Sequence, residues 1–308
     1  MKRTIAFIFA AAALLCFSSC QKDAHPTDGE EIEATFTITV PEGIQTRSYS
    51  DGTKATQLYY AVYDGNKYLK GNDEALVMEN LKKTVTIKLV KNYTYNIVFW
   101  AQAADAPYAL DMQNATMTVK DYAGPANNDK RDAFYRCISY TYSSQPTDVD
   151  LYRPFAQINF ASSDYDDVVS LLGHTMTSTM VIKGLPDVLN LLDGTLGTST
   201  KDTQFTASAV PATPIAPATV GEKISINGDS DTYGYVAMNY VLAPNSENEL
   251  KDVTGIFNYN GKSLEIEVAN VPYRRNWKTN IYGAMFTENA ELTVKIVKDF
   301  TDDYDKTY

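Results

Sequence analysis

An all-β protein is predicted, built as two sheet-rich halves with only one or two short helices, and three observations predict it. Apolar and polar residues alternate with period two in one segment after another, the pattern of strands with a buried face. The chain carries 22 tyrosines and 12 phenylalanines but only 2 histidines, a balance that suits pleated sheets better than helices. A length of 308 residues, at roughly 150 per domain, leaves room for two hydrophobic cores.

The strands follow in order. Ala34 to Val40 alternates without a break, with Ala34, Phe36, Ile38 and Val40 on one face and three threonines on the other. Leu58 to Tyr63 is closed by the turn Asp64-Gly65-Asn66, and Thr84 to Val90 places Val85, Ile87 and Leu89 on one side. Tyr93 to Trp100 is apolar nearly throughout, as expected of a strand buried on both faces. The second half repeats the pattern at Phe155–Phe160, Thr177–Ile182, Lys223–Ile226, Tyr233–Leu242, Val253–Tyr259, Ser263–Val268, Asn280–Phe286 and Glu291–Val297. Asn260-Gly261 between two of these signals a hairpin.

Short helices are expected at Asp164–Leu172, closed by Gly173, and at Leu185–Leu192, with Pro186 in its first turn and Gly194 beyond it. The Pro-, Ala- and Thr-rich stretch Ala209–Gly221 reads as a surface connection. The two halves echo each other: Asn92-Tyr93-Thr94-Tyr95-Asn96-Ile97 and Asn276-Trp277-Lys278-Thr279-Asn280-Ile281 share Asn, aromatic, Asn and Ile at one spacing. The turn-rich Ser143–Asp148 puts the boundary near Asp148, giving halves of 34–148 and 149–308.

The chain begins with a basic Lys2-Arg3 and an apolar run from Ile5 to Phe17, a secretory signal too short to span a membrane. Small residues just before Cys20 resemble a bacterial lipobox, which implies cleavage after residue 19 and acylation of Cys20. Multiple acyl chains then give stable membrane anchoring. Residues 20–33 are polar and acidic and read as a flexible tether. Cys16 leaves with the signal and Cys20 is occupied by lipid, so Cys137 has no disulfide partner and is expected in the core.

Little in the sequence points to catalysis. A net charge of -11 has the wrong sign for nucleic-acid binding. His25 falls in the tether and His174 at an expected helix end, with no nucleophile elbow or triad pattern around them. No spacing of His, Cys, Asp and Glu suits zinc. Asp229–Gly234 starts like a calcium loop, but Tyr240 stands where the bidentate Glu should be. No catalytic residue, metal site or cofactor is therefore expected, and the chain reads as a non-enzyme.

Taken in order, several segments resemble the fimbrillin superfamily, the subunits of type V pili in the Bacteroidota. These are Cys20, the alternating strand Ala34–Val40, Arg47-Ser48 shortly after it, and Tyr93–Ala101. Arg153-Pro154-Phe155-Ala156-Gln157-Ile158-Asn159-Phe160, Leu185–Gly194 and Arg275–Gly283 complete the series. The resemblance implies two tandem transthyretin-like β-sandwiches on an outer-membrane lipoprotein. It also implies cleavage between Arg47 and Ser48 by an arginine-specific protease. Ala34, Phe36, Ile38 and Val40 would then belong to an exchangeable first strand, replaced by β-strand addition from another pilus subunit. The tail after Ile296 has a poor apolar face, which leaves stalk, tip and anchor roles all open. The runner-up reading is a lipoprotein that does not polymerise and binds host or bacterial surface glycans. Tyr59, Tyr60, Tyr140 and Tyr142 would supply its aromatic platform.

Overall fold

The computed structural model describes residues 29–41, 51–164, 176–210, 234–246, 248–286 and 292–298. The first half holds β1 (Glu31–Thr39), β2 (Gln57–Asp64), β3 (Lys67–Gly71), β4 (Leu76–Val77), β5 (Lys82–Val90) and β6 (Thr94–Gln102). It continues through β7 (Tyr108–Asp111), β8 (Thr116–Val119), β9 (Ala123–Pro125), β10 (Phe134–Thr141) and β11 (Thr147–Asp150). The second half holds β12 (Phe155–Ser162), β13 (Thr177–Ile182), β14 (Leu185–Pro186), β15 (Val188–Asn190), β16 (Thr200–Lys201) and β17 (Gln204–Thr206). Then come β18 (Ser208–Ala209), β19 (Gly234–Leu242), β20 (Leu250–Tyr259), β21 (Lys262–Pro272), β22 (Trp277–Gly283) and β23 (Leu292–Lys298). The all-β prediction holds: the helical element among the described residues is a single 3-10 turn, Asp129–Arg131.

Two main sheets face each other in each half. In the first, β11-β1-β5 covers β10-β6-β2-β3, and Phe36, Ile38, Leu58, Val62, Ile97 and Phe99 fill the space between them. In the second, β19-β12-β22-β23 packs on β18-β13-β20-β21, around Ile158, Phe160, Met180 and Phe257. The strand β6 is buried on both faces because a second layer, β15-β8-β7, lies behind it. That layer mixes the halves, since Val188–Asn190 pairs with Thr116–Thr118. A single core cluster accordingly runs from Trp100 and Tyr108 to Phe155 and Phe257.

Several expectations need correction. Leu185–Leu192 forms no helix: it splits into β14 and β15, and cross-strand pairing with Thr200–Lys201 and with β8 outweighs its local helical pattern. The helix expected from Asp164 lies outside the described residues beyond Asp164 itself, as do Lys223–Ile226 and nearly all of Ala209–Gly221. Asp148, near which the boundary is expected, lies in β11 and pairs with Thr37 of β1. The strand Phe134–Thr141 carries no clean alternating pattern, because Phe134, Ile138 and Tyr140 pack on one core and Tyr135 and Cys137 on the other. At the hairpin, Asn260 and Gly261 both take positive φ (47° and 72°), as a tight two-residue turn requires.

Candidate functional site: the first strand and its groove

The first strand is a central strand. β1 runs antiparallel to β5 from Glu31↔Val90 to Thr39↔Lys82, and parallel to β11 from Phe36↔Thr147 to Thr39↔Asp150. Its alternation sends Ala34, Phe36, Ile38 and Val40 inward, each at most 1% exposed, while Thr35, Thr37 and Thr39 stay half-exposed. The floor beneath comes from β6 and β10. The Phe36 ring lies edge-on to Tyr140 at 4.8 Å and tilted against Phe99 at 5.7 Å. Strands pair about 4.8 Å apart, so without β1 its two partners would stand about 9.6 Å apart with facing edges open.

The two ends of β1 are held differently. At its start, acidic residues meet lysines: Lys91 Nζ lies 3.1 Å from Glu30 Oε2, Glu33 sits opposite Lys88 in the ladder, and Lys70 Nζ donates to the Lys88 carbonyl. Burial pushes the Lys70 amine below its ordinary range, and Glu31 opposes that shift. Facing these lysines, β1 begins at Glu31, inside the stretch expected to be tether. At its end, Val40 packs on Gly52, where φ is +76° and a Cβ would come within 2.8 Å of the Val40 side chain. The chain therefore leaves β1 at Pro41 and returns beneath the same residue. Arg47 and Ser48 lie between these points, outside the described residues, as does Cys20.

The other segments of the resemblance converge elsewhere, at the junction of the halves. Arg153 Nε and Nη2 donate to Asp132 Oδ1 and Oδ2 at 2.7 and 2.8 Å, with both side chains buried and the guanidinium over the Phe134 ring at 4.4 Å. Burial pushes the Asp132 carboxyl up, and the Arg153 charge pulls against it. Arg275 donates to the Gly194 carbonyl at 2.8 Å and to the Tyr135 hydroxyl at 3.2 Å. Gly194 takes φ +73°, and a Cβ there would meet both partners within 3.0 Å. Asp187, within Leu185–Gly194, pairs with Lys201 at 3.1 Å, and Lys201 Nζ also donates to the Val119 carbonyl. The Arg153, Leu185 and Arg275 segments thus fix the two halves together.

The aromatic platform of the runner-up reading is not assembled. Tyr140 is buried under Phe36, Tyr60 packs near Phe99, Tyr59 and Tyr142 are half-buried, and no described tyrosine is more than partly exposed. Cys137 is half-buried against the core, and burial pushes its thiol up to about 11. Among the described residues no cluster of three or more His, Cys, Asp or Glu could hold a metal, and no helix is long and apolar enough to cross a membrane. Sequence reasoning missed the floor aromatics Phe99 and Tyr140 and the lysines at the groove mouth. Long-range pairing brings them to the site, and local pattern cannot show that.

A family profile described as a family of unknown function (DUF6562) matches residues 26–308. Comparison with curated proteins finds no match. Among solved structures, the chain is similar to a fimbrial assembly protein from Parabacteroides distasonis (12% identity, TM-score 0.45, 86% of this chain and 96% of that one). It is also similar to the tip fimbrial protein Mfa3 from Porphyromonas gingivalis (10% identity, TM-score 0.45, 87% and 100%). A third similar chain is a candidate polysaccharide-binding protein from Bacteroides thetaiotaomicron (12% identity, TM-score 0.46, 86% and 98%).

Proposed function

For this chain, which belongs to the DUF6562 family of unknown function, we propose the role of a fimbrillin-type surface subunit. It is anchored in the outer membrane through Cys20, assembled by replacement of its first strand, and serves adhesion rather than catalysis. The observation that carries this reading is β1 itself: a strand paired on both sides, supplying one face of a core, with Arg47-Ser48 in the segment that follows. Burying Phe36, Ile38 and Val40 is worth ~1.5–3 kcal/mol each, while a whole domain is stable by only ~5–15 kcal/mol. A half that lost this strand would strongly favour a substitute, and strand addition supplies one.

The test is made on cells. Mass spectrometry of the surface protein should find an N terminus at Ser48 in the assembled form and a lipidated Cys20 in the precursor. Arg47→Ala protein should remain an anchored monomer. Assembled protein that still carries residues 31–41 would sink the reading.

A further inference from the structure

Resting on the adhesive role proposed above, we propose that the outer face of the sheet β18-β13-β20-β21 is a binding trough for an oligosaccharide that carries acetamido groups. The trough lies in the second half and shares no residue with the first strand or its neighbours.

The alternation of β13 and β20 builds it. Ser178, Met180 and Ile182 point into the core with no exposure, so Thr177, Thr179 and Val181 face outward and are half-exposed. The ladders extend these residues into rows across the sheet, from Val181-Thr254-Glu267 at one end to Thr177-Asn258-Ser263 at the other. A hollow of about 550 Å³ opens at the first row, where the pairing of β20 with β21 skips Asp252. A second hollow of about 540 Å³ opens at the last row, beside the Asn260-Gly261 hairpin. Small-molecule sites commonly enclose ~300–1,000 Å³. From Asp252 to Asn258 the strand advances ~20 Å, so the two hollows suit successive rings of one extended ligand.

The chemistry of the first hollow points to an acetamido group. Leu250, 47% exposed, is one of two large apolar side chains that the described residues expose. It lines this hollow together with Val181, Lys183, Thr254 and Glu267. The Asp252 carboxylate accepts from the Asn270 amide at 3.0 Å, and Lys251 Nζ donates to the Gly184 carbonyl at 2.8 Å. Glu267 and Lys183 are both exposed at its rim. An acetamido group has a methyl for Leu250 and Val181, an N–H for the Glu267 carboxylate and a carbonyl for the Lys183 ammonium. Ring hydroxyls then meet Thr254 here and Thr177, Asn258 and Ser263 in the second hollow.

Two further features separate a neutral sugar from other ligands. Lys183, Lys251 and Lys262 stand against Asp252, Glu265 and Glu267, so the trough presents no net field to a polyanion or a polycation. Its floor strands β13 and β20 are each paired on both sides. An extended peptide lying on them would therefore find no open backbone edge to join, whereas hydroxyl and acetamido groups are met by side chains.

The experiment uses the full mature chain, uncut at Arg47, so a negative result leaves strand replacement standing and a failure of strand replacement leaves this result readable. Calorimetric titration compares chitotetraose with cellotetraose, which share one linkage and differ in bearing an acetamido group or a hydroxyl on each ring. Chitotetraose should bind with a dissociation constant below about 1 mM and at least about tenfold more tightly than cellotetraose. Leu250→Ser and Glu267→Gln, both exposed substitutions, should each melt within about 2 °C of the parent and weaken chitotetraose binding about tenfold or more. The proposal fails if chitotetraose does not bind below about 1 mM, or if cellotetraose binds within about threefold of it. It fails equally if both variants bind chitotetraose within about threefold of the parent, because the sugar then sits elsewhere.

Discussion

β1 and β12 open their halves with the same pairings, a parallel neighbour on one side and an antiparallel neighbour on the other. Their surroundings differ completely. Every residue of β12 is buried, polar side chains included: Asn159 Nδ2 donates to Asn280 Oδ1 at 2.8 Å, and Arg153, just before the strand, holds Asp132. β1 buries one face, leaves its threonines half-exposed, and makes its inward contacts through apolar side chains alone. An apolar face can be replaced by another apolar face of the right shape. A buried ion pair with its hydrogen bonds cannot be lifted out without stranding a charge. One topology therefore carries a purely apolar inward face in the first half and a polar, ion-paired keystone in the second.

The sharpest way to break this contrast is at the keystone. Asp132→Ala leaves the Arg153 guanidinium buried without its carboxylate, and removal of one partner from such a pair costs about 3–5 kcal/mol. Because Arg153 bridges the halves, chemical denaturation should show the whole molecule destabilised. The joint replacement Asp132→Leu with Arg153→Met should recover most of the loss, since apolar residues of similar volume tolerate the same site. If Asp132→Ala unfolds within about 1 kcal/mol of the parent, the pair does not hold the junction.

Phe36→Ala makes the matching cut in β1. An aromatic ring removed from a packed core costs about 3–5 kcal/mol, but here the loss should stay in the first half. Hydrogen exchange should accelerate in β2, β5 and β6, while β19 and β22 keep their protection. Equal acceleration in both halves would mean that β1 is not separable from the rest.

How far this contrast could be read from the sequence differs between the two strands. β1 was fully legible, because Ala34-Thr35-Phe36-Thr37-Ile38-Thr39-Val40 has one buried face and so alternates. The inward set was right residue by residue, and the strand began only three residues earlier than expected. β12 was legible as a strand, but its role was not: Gln157 and Asn159 look like ordinary outward residues until β22 places Lys278 and Asn280 beside them. Leu185–Leu192 misled for the same reason. Its local signals favour a helix, and its partners Thr116–Thr118 and Thr200–Lys201 lie far away in the chain. Residues whose environment comes from their own neighbours were readable. Residues whose environment comes from the other half were not.

The smallest expected effect concerns the echo between the halves. Asn92 and Asn276 each stand just before the aromatic of the repeated pattern, and both take left-handed backbone angles, φ 66° and 59°. Asparagine tolerates that region better than other residues with a side chain, so the echo marks one backbone device: a left-handed residue that turns the chain into β6 and into β22. Alanine at either site should cost about 1 kcal/mol, because it keeps the Cβ that crowds the following carbonyl and loses the short polar side chain whose local hydrogen bonding lets asparagine tolerate this region. Glycine separates the two. At position 92 it should be neutral or slightly stabilising, since glycine adopts the angle freely. At position 276 it should still be destabilising, because the Asn276 side chain accepts from the Arg153 amide at 3.4 Å beside the buried ion pair. Thermal melts of Asn92→Gly and Asn276→Gly decide the matter: equal shifts would show that the side chain of Asn276 adds nothing at the junction, and that the two asparagines are held by backbone geometry alone.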